Sequence, residues 1–136
     1  MATMPLSAPL RLLALALTLS VPAAAMAVEY DCKVTRKVNA DTVYAPEHLQ
    51  RWQFSVGIAE SQDRSSLSRC SFATSANKVT CDRYEVDRVA YDQNVKIKKF
   101  YVFRSQFDVQ LFADLSFVEN NGRGDIAFGQ CRIVSP

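Results

Sequence analysis

Apolar and polar residues alternate one for one along much of this chain. From Phe107 to Phe117 every odd position is apolar, and the even positions are polar apart from Phe112. Successive side chains of a β-strand point to opposite faces, so this spacing predicts a strand with one face in a core. Trp52, Phe54, Val56 and Ile58 alternate in the same way with Gln53, Ser55 and Gly57. Tyr30, Cys32 and Val34 alternate with Asp31, Lys33 and Thr35 and predict a first strand. Val95 and Ile97 occupy one phase, Phe100 and Val102 the other, which predicts a β-bulge at Lys98-Lys99. A similar slip separates Val79 and Cys81 from Tyr84 and Val86, near Asp82-Arg83. The stretch from Tyr84 to Asp92 reads as strand on its β-branched and aromatic content.

Helical signal is confined to Ala45-Pro46-Glu47-His48-Leu49-Gln50, where Pro46 suits the first position of a short turn. Internal repeats, low-complexity tracts and linkers are absent from the sequence. The expected fold is all-β: a small antiparallel β-barrel or sandwich of about seven or eight strands, with one helical turn near 46–50.

The front of the chain has a different pattern. Arg11 precedes an apolar run from Leu12 to Val21, Pro22 interrupts it, and Ala25-Met26-Ala27 has the small-x-small form of a cleavage site. Residues 1–27 therefore read as a secretory signal peptide, cleaved after Ala27, with residues 28–136 as a single disulfide-bonded β domain. The run is too short for a lasting membrane anchor. No cysteine stands directly after the cleavage site to carry a lipid, and no twin-arginine pair precedes the run, so Sec-type export to the periplasm or beyond is expected.

Charge changes the picture little. The chain has a formal charge of +2, and losing Arg11 with the leader leaves +1. Nucleic acid and anionic membranes select for a strong basic excess, so neither is expected as a partner. The cysteines say more. All four, Cys32, Cys70, Cys81 and Cys131, lie in the exported part, and an even count in an oxidising compartment predicts two disulfides. Three pairings are open. Cys70–Cys81 is favoured because the residues between them look like two strand ends joined by a polar turn, which leaves Cys32 to Cys131. That second bridge would bring the first and last strands together and favour a barrel over an open sandwich.

Few catalytic chemistries fit. His48 is the only imidazole, the thiols are expected to be oxidised, and no G-x-S-x-G elbow, P-loop or dinucleotide fingerprint is present. No metal is expected, since no C-x₂-C pair exists and His48 stands alone; no cofactor is expected either. Glu85 and Asp87 share a face if Tyr84 to Asp92 is one strand, and could serve a carboxylate-based enzyme. Arg83 and Arg88 beside them point instead to a solvated, salt-linked face. Lys96-Ile97-Lys98-Lys99 reads as an edge strand guarded by lysines.

Asn121-Gly122, between two apolar runs, predicts a hairpin turn. The adjoining Arg123-Gly124-Asp125 spells an adhesion tripeptide, but its residues are ordinary turn chemistry. Loops between strands are where binding residues tend to sit. The candidate partner contacts are Ser61, Gln62, Asp63 and Arg64; Asn77 and Lys78; and Asn120, Asn121, Arg123 and Asp125. The expected function is that of a non-enzymatic envelope protein binding another protein, as a hydrolase inhibitor or toxin-neutralising protein would. The alternative is a carrier of a small apolar ligand, with a barrel lined by Trp52, Phe54, Leu111 and Phe117.

Overall fold

Strand β1 (Val28–Val38) and the last strand, β9 (Ile126–Ser135), pair antiparallel at the centre of the molecule, with Cys32 opposite Cys131. The computed structural model describes residue 3 and residues 27–135. The expected leader, residues 1–27, lies almost wholly outside the described residues. After β1 come α1 (Pro46–Trp52), β2 (Ser55–Glu60), β3 (Ser65–Ala73) and β4 (Lys78–Glu85). Then follow β5 (Arg88–Asp92), β6 (Ile97–Val102), β7 (Phe107–Leu111) and β8 (Ser116–Asn120). All strands join one antiparallel sheet in the order β4-β3-β2-β1-β9-β8-β7-β6-β5.

The sheet curls into a half-barrel because its two edge strands are neighbours in sequence. Only Val86 and Asp87 separate β4 from β5. The Val86 N–H donates to Ser65 O at 3.0 Å on one side, and the Asp87 N–H donates to Tyr101 O at 2.8 Å on the other. One stretch of chain thus leaves the β3 edge and joins the β6 edge. The strand expected from Tyr84 to Asp92 is broken at this corner, which raises the count to nine among the described residues.

Three other expectations on local structure are corrected. The alternation from Phe107 to Phe117 covers two strands, with a turn at Phe112–Leu115 closed by the Leu115 N–H to Phe112 O bond. The Asp114 carboxylate accepts from Ser116 N–H and Oγ–H, and these bonds hold its pKa below the usual value. Trp52 belongs to α1, which ends at Gln53 in a left-handed conformation (φ 51°) with its N–H on Leu49 O, so β2 begins only at Ser55. The bulges expected at Lys98-Lys99 and Asp82-Arg83 are absent, since β6 and β4 keep a continuous register with their partners. Val95 lies in the β5–β6 turn, and Val79 is exposed on an edge strand, so neither reports the core phase. The register shifts that do occur lie between β1 and β9, at Glu29/Tyr30 and Val34/Arg36.

Phe100, Phe117, Ile58, Leu67, Val56 and Val109 fill the middle of the curl, each less than 2% exposed. Both disulfides bridge directly opposed residues, Cys32–Cys131 within this core and Cys70–Cys81 between β3 and β4. Gly129 lets β1 and β8 close on β9. A Cβ there would stand 1.9 Å from Lys33 O and 2.6 Å from Phe117 Cε1. G129A is therefore expected to destabilise by ~1–3 kcal/mol, the cost of overpacking a filled core. A urea midpoint unchanged from wild type would show that the backbone yields there at no cost.

Candidate functional site

The inward face of the sheet is apolar in the middle and charged at both ends. Each charged residue stands two positions from a core residue on its own strand: Glu60 after Ile58, Arg69 after Leu67, Lys98 before Phe100 and Glu119 after Phe117. Residues two apart on a strand share a face, so all four turn inward. They pair across the interior between strands that are not neighbours in the sheet. Lys98 Nζ lies 2.6 Å from Glu60 Oε1, and Arg69 Nη2 lies 2.7 Å from Glu119 Oε1. Burial works to lower the Lys98 pKa, and the hydrogen bond and charge of Glu60 outweigh it and leave the value raised.

These inward charges account for the phase slip read at Lys98-Lys99: Lys98 occupies a core-facing position of β6, and the alternation is unbroken once it is counted as inward. Sequence reasoning assigned no role to Glu60, Arg69 or Glu119. The signal available was their phase, which continues the apolar spacing of each strand by one step.

At the Arg69–Glu119 end, a cavity of about 170 Å³ is lined by Lys37, Phe54, Arg69, Asp82, Tyr84 and Glu119, among others. Arg69 also stacks 4.9 Å from the Phe107 ring centre, and Lys37 Nζ lies 4.3 Å from that of Phe54. This is a small, ion-paired closure of the curl. Removing one partner of such a pair strands the other charge, which is the costly way to break it.

The larger concavity is an open groove of about 720 Å³ at the other end. It is built where the β2–β3 loop meets the β4–β5 corner. Glu60 to Ser65 form one wall and Glu85 to Val89 the other, with Val28 at the rim. The loop is rigid by construction: Ser61 N–H donates to Arg64 O at 3.0 Å, and Arg64 N–H donates back to Ser61 Oγ at 3.1 Å. Gln62 and Asp63 are left exposed at its tip. Asp87 is partly spent on the fold, its Oδ2 accepting from Phe103 N–H at 2.7 Å. Glu85 and Asp87 both line the groove, although the corner between them breaks the single strand that was to put them on one face.

The sheet separates the candidate loops. β1, β3 and β8 run in the same direction, so the turns after β3 and β8 leave at one end and the turn after β2 at the other. Ser61–Arg64 therefore cannot share one contact surface with Asn77, Lys78 and Asn120–Asp125. Asn77 sits in a left-handed turn conformation (φ 51°) with its N–H on Thr74 O. In the β8–β9 turn, Asn121 Oδ1 accepts from Arg123 N–H and Asp125 N–H. Gly122 has φ 73°, and a Cβ there would stand 1.7 Å from Gln106 O, so only glycine fits.

Asp125 faces the fold rather than solvent. It accepts from Tyr44 Oη–H at 3.1 Å and pairs with Lys37 Nζ at 3.7 Å. Burial, then the bond and charge of Asp125, raise the Tyr44 pKa above its ordinary value. The Arg123-Gly124-Asp125 triplet is thus tied down at its acid.

The residues named for a ligand-carrying barrel do not all lie together among the described residues. Leu111 and Phe117 are buried in the packed middle, Phe54 is half-buried beneath Lys37, and Trp52 is on α1 beside the exposed His48. Among the described residues, no helix is long and apolar enough to cross a membrane. The two disulfides fit an oxidising compartment outside the cytosol. No family model, curated protein or solved structure matches this chain.

Proposed function

We propose that this is an exported envelope protein, freed of its leader after Ala27, that binds another protein and holds it by its exposed loops. Inhibition of a hydrolase or neutralisation of a toxin is the kind of task that suits it. The observation that carries the reading is the groove between Ser61–Arg64 and the β4–β5 corner, set beside a closely packed apolar middle of the sheet. A rigid loop beside an open groove presents fixed polar groups to a partner at little entropic cost. Packing in the middle of the curl favours the surface as the place to bind.

The test is capture from a bacterial envelope extract, with the protein purified from the periplasm as bait. Native mass spectrometry of the bait first shows whether a small molecule travels with it. The wild type is expected to retain one protein species, and a Q62A/D63A/R64A variant to retain it at least about tenfold less, the loss of one moderate hot spot. Equal retention by the variant would remove this loop from the contact. A bound small molecule released on denaturation would replace the reading with a ligand carrier.

A further inference from the structure

The two edges of the sheet are unlike. β4 carries Lys78, Asp82, Arg83 and Glu85 along its eight residues, the charged pattern that discourages pairing with another strand. The middle of β5 is Val89-Ala90-Tyr91, with charges only at its ends. Among the described residues, β5 is hydrogen-bonded to β6 alone. Its register places Val89 opposite Phe100, which is fully buried, and Tyr91 opposite Lys98, which reaches across the interior. Both side chains are therefore on the inward face, yet Val89 is 42% and Tyr91 50% exposed. Inward positions are left uncovered where the next strand of the sheet is missing.

The groove lies against the start of this edge. Its walls set Asp63, Glu85 and Asp87 against Arg64 and Arg88, Glu60 being already paired with Lys98, and Val28, Val86 and Val89 add apolar surface. We propose that the groove receives an extended segment of the partner protein, five to seven residues long, as an added strand along the free edge of β5. That segment alternates apolar residues, packed on Val89 and Tyr91, with lysine or arginine facing the carboxylates. Strand addition of this kind takes its affinity from main-chain hydrogen bonds and its choice of partner from the alternate side chains. The inference rests on the protein-binding reading and assigns it a chemistry.

The experiment is an NMR titration of ¹⁵N-labelled protein with three synthetic heptapeptides. One alternates lysine with valine, one glutamate with valine, and one lysine with proline. The lysine–valine peptide is expected to shift the amides of Val86 to Asp92 and of Ser61 to Ser65. The glutamate peptide lacks the charge and the proline peptide lacks the N–H groups a strand needs, so neither should do so. A D63N/E85Q variant should bind the first peptide roughly threefold to tenfold more weakly, as expected for two exposed charge contacts. Equal shifts from the proline peptide, shifts centred on Asn77 and Asn120–Asp125, or no shifts at all would each overturn strand addition at β5. Capture of a protein through Ser61–Arg64 alongside such a result would leave the protein-binding reading standing.

Discussion

Replacing both Cys32 and Cys131 with alanine should destabilise the protein by up to ~4.7 kcal/mol in the loop-entropy account, against ~2.8 kcal/mol for Cys70 and Cys81. The difference arises in the unfolded chain. One bridge spans 99 residues of sequence and the other 11, so the first restricts far more of the denatured ensemble. Packing acts in the same direction. Cys32 is fully buried and Cys131 only 4% exposed, whereas Cys81 is exposed on an edge strand. Domains of this size have total stabilities of ~5–15 kcal/mol, so loss of the long bridge takes a large share. Urea unfolding of the two double-alanine variants and the wild type checks the order. If the Cys70/Cys81 variant proves the less stable, neither chain entropy nor burial sets the order of the two bridges.

Much of this fold can be read from local alternation, and the failures lie where alternation alone is ambiguous. In the β7–β8 hairpin, Leu111 pairs with Phe117 and Val109 with Glu119. Directly opposed residues lie on the same face, so odd pairs with odd and the apolar phase passes through the turn unbroken. Periodicity could not see that turn. Asp114 with Ser116 was the local signal, and it was masked by the run of apolar neighbours. At Lys98 the error was of the opposite kind: an inward lysine looked like a change of phase because its partner, Glu60, lies on a strand far away in sequence. Polar residues on a core-facing position acquire meaning only when the strand across the interior is known.

The candidate site was legible in part for the same reason. Ser61–Arg64 stands out by composition as a turn, and a turn it is. That it faces Glu85–Val89 rather than the β3–β4 and β8–β9 turns follows from strand order, which no short stretch encodes. The β4–β5 corner was hidden because Tyr84 to Asp92 has strand-forming residues throughout. What breaks it is competition between two pairing partners, Ser65 and Tyr101, for successive backbone N–H groups.

F117A should cost ~3–5 kcal/mol, the usual loss for removing a buried phenylalanine ring from a close-packed core. Phe117 is 1% exposed, opposite both Leu111 and Gly129, and its ring edge lies where a Gly129 side chain would be. Its neighbours are held by backbone pairing on both sides of β8, so they can collapse only partly into the space left. F103A provides the control: Phe103 is 58% exposed, and its truncation should stay within about 0.5 kcal/mol of wild type. The comparison also separates two accounts of the interior. A barrel built to hold an apolar ligand would already have space beside Phe117, and truncation would enlarge a cavity rather than create one, at a cost nearer the transfer term alone. A large loss for F117A in urea unfolding places the ring within a filled core and leaves recognition to the groove. A loss of about 2 kcal/mol or less, no more than the transfer term, would mean that the middle of the curl is loosely filled and that a small apolar ligand is the better candidate for what this protein binds.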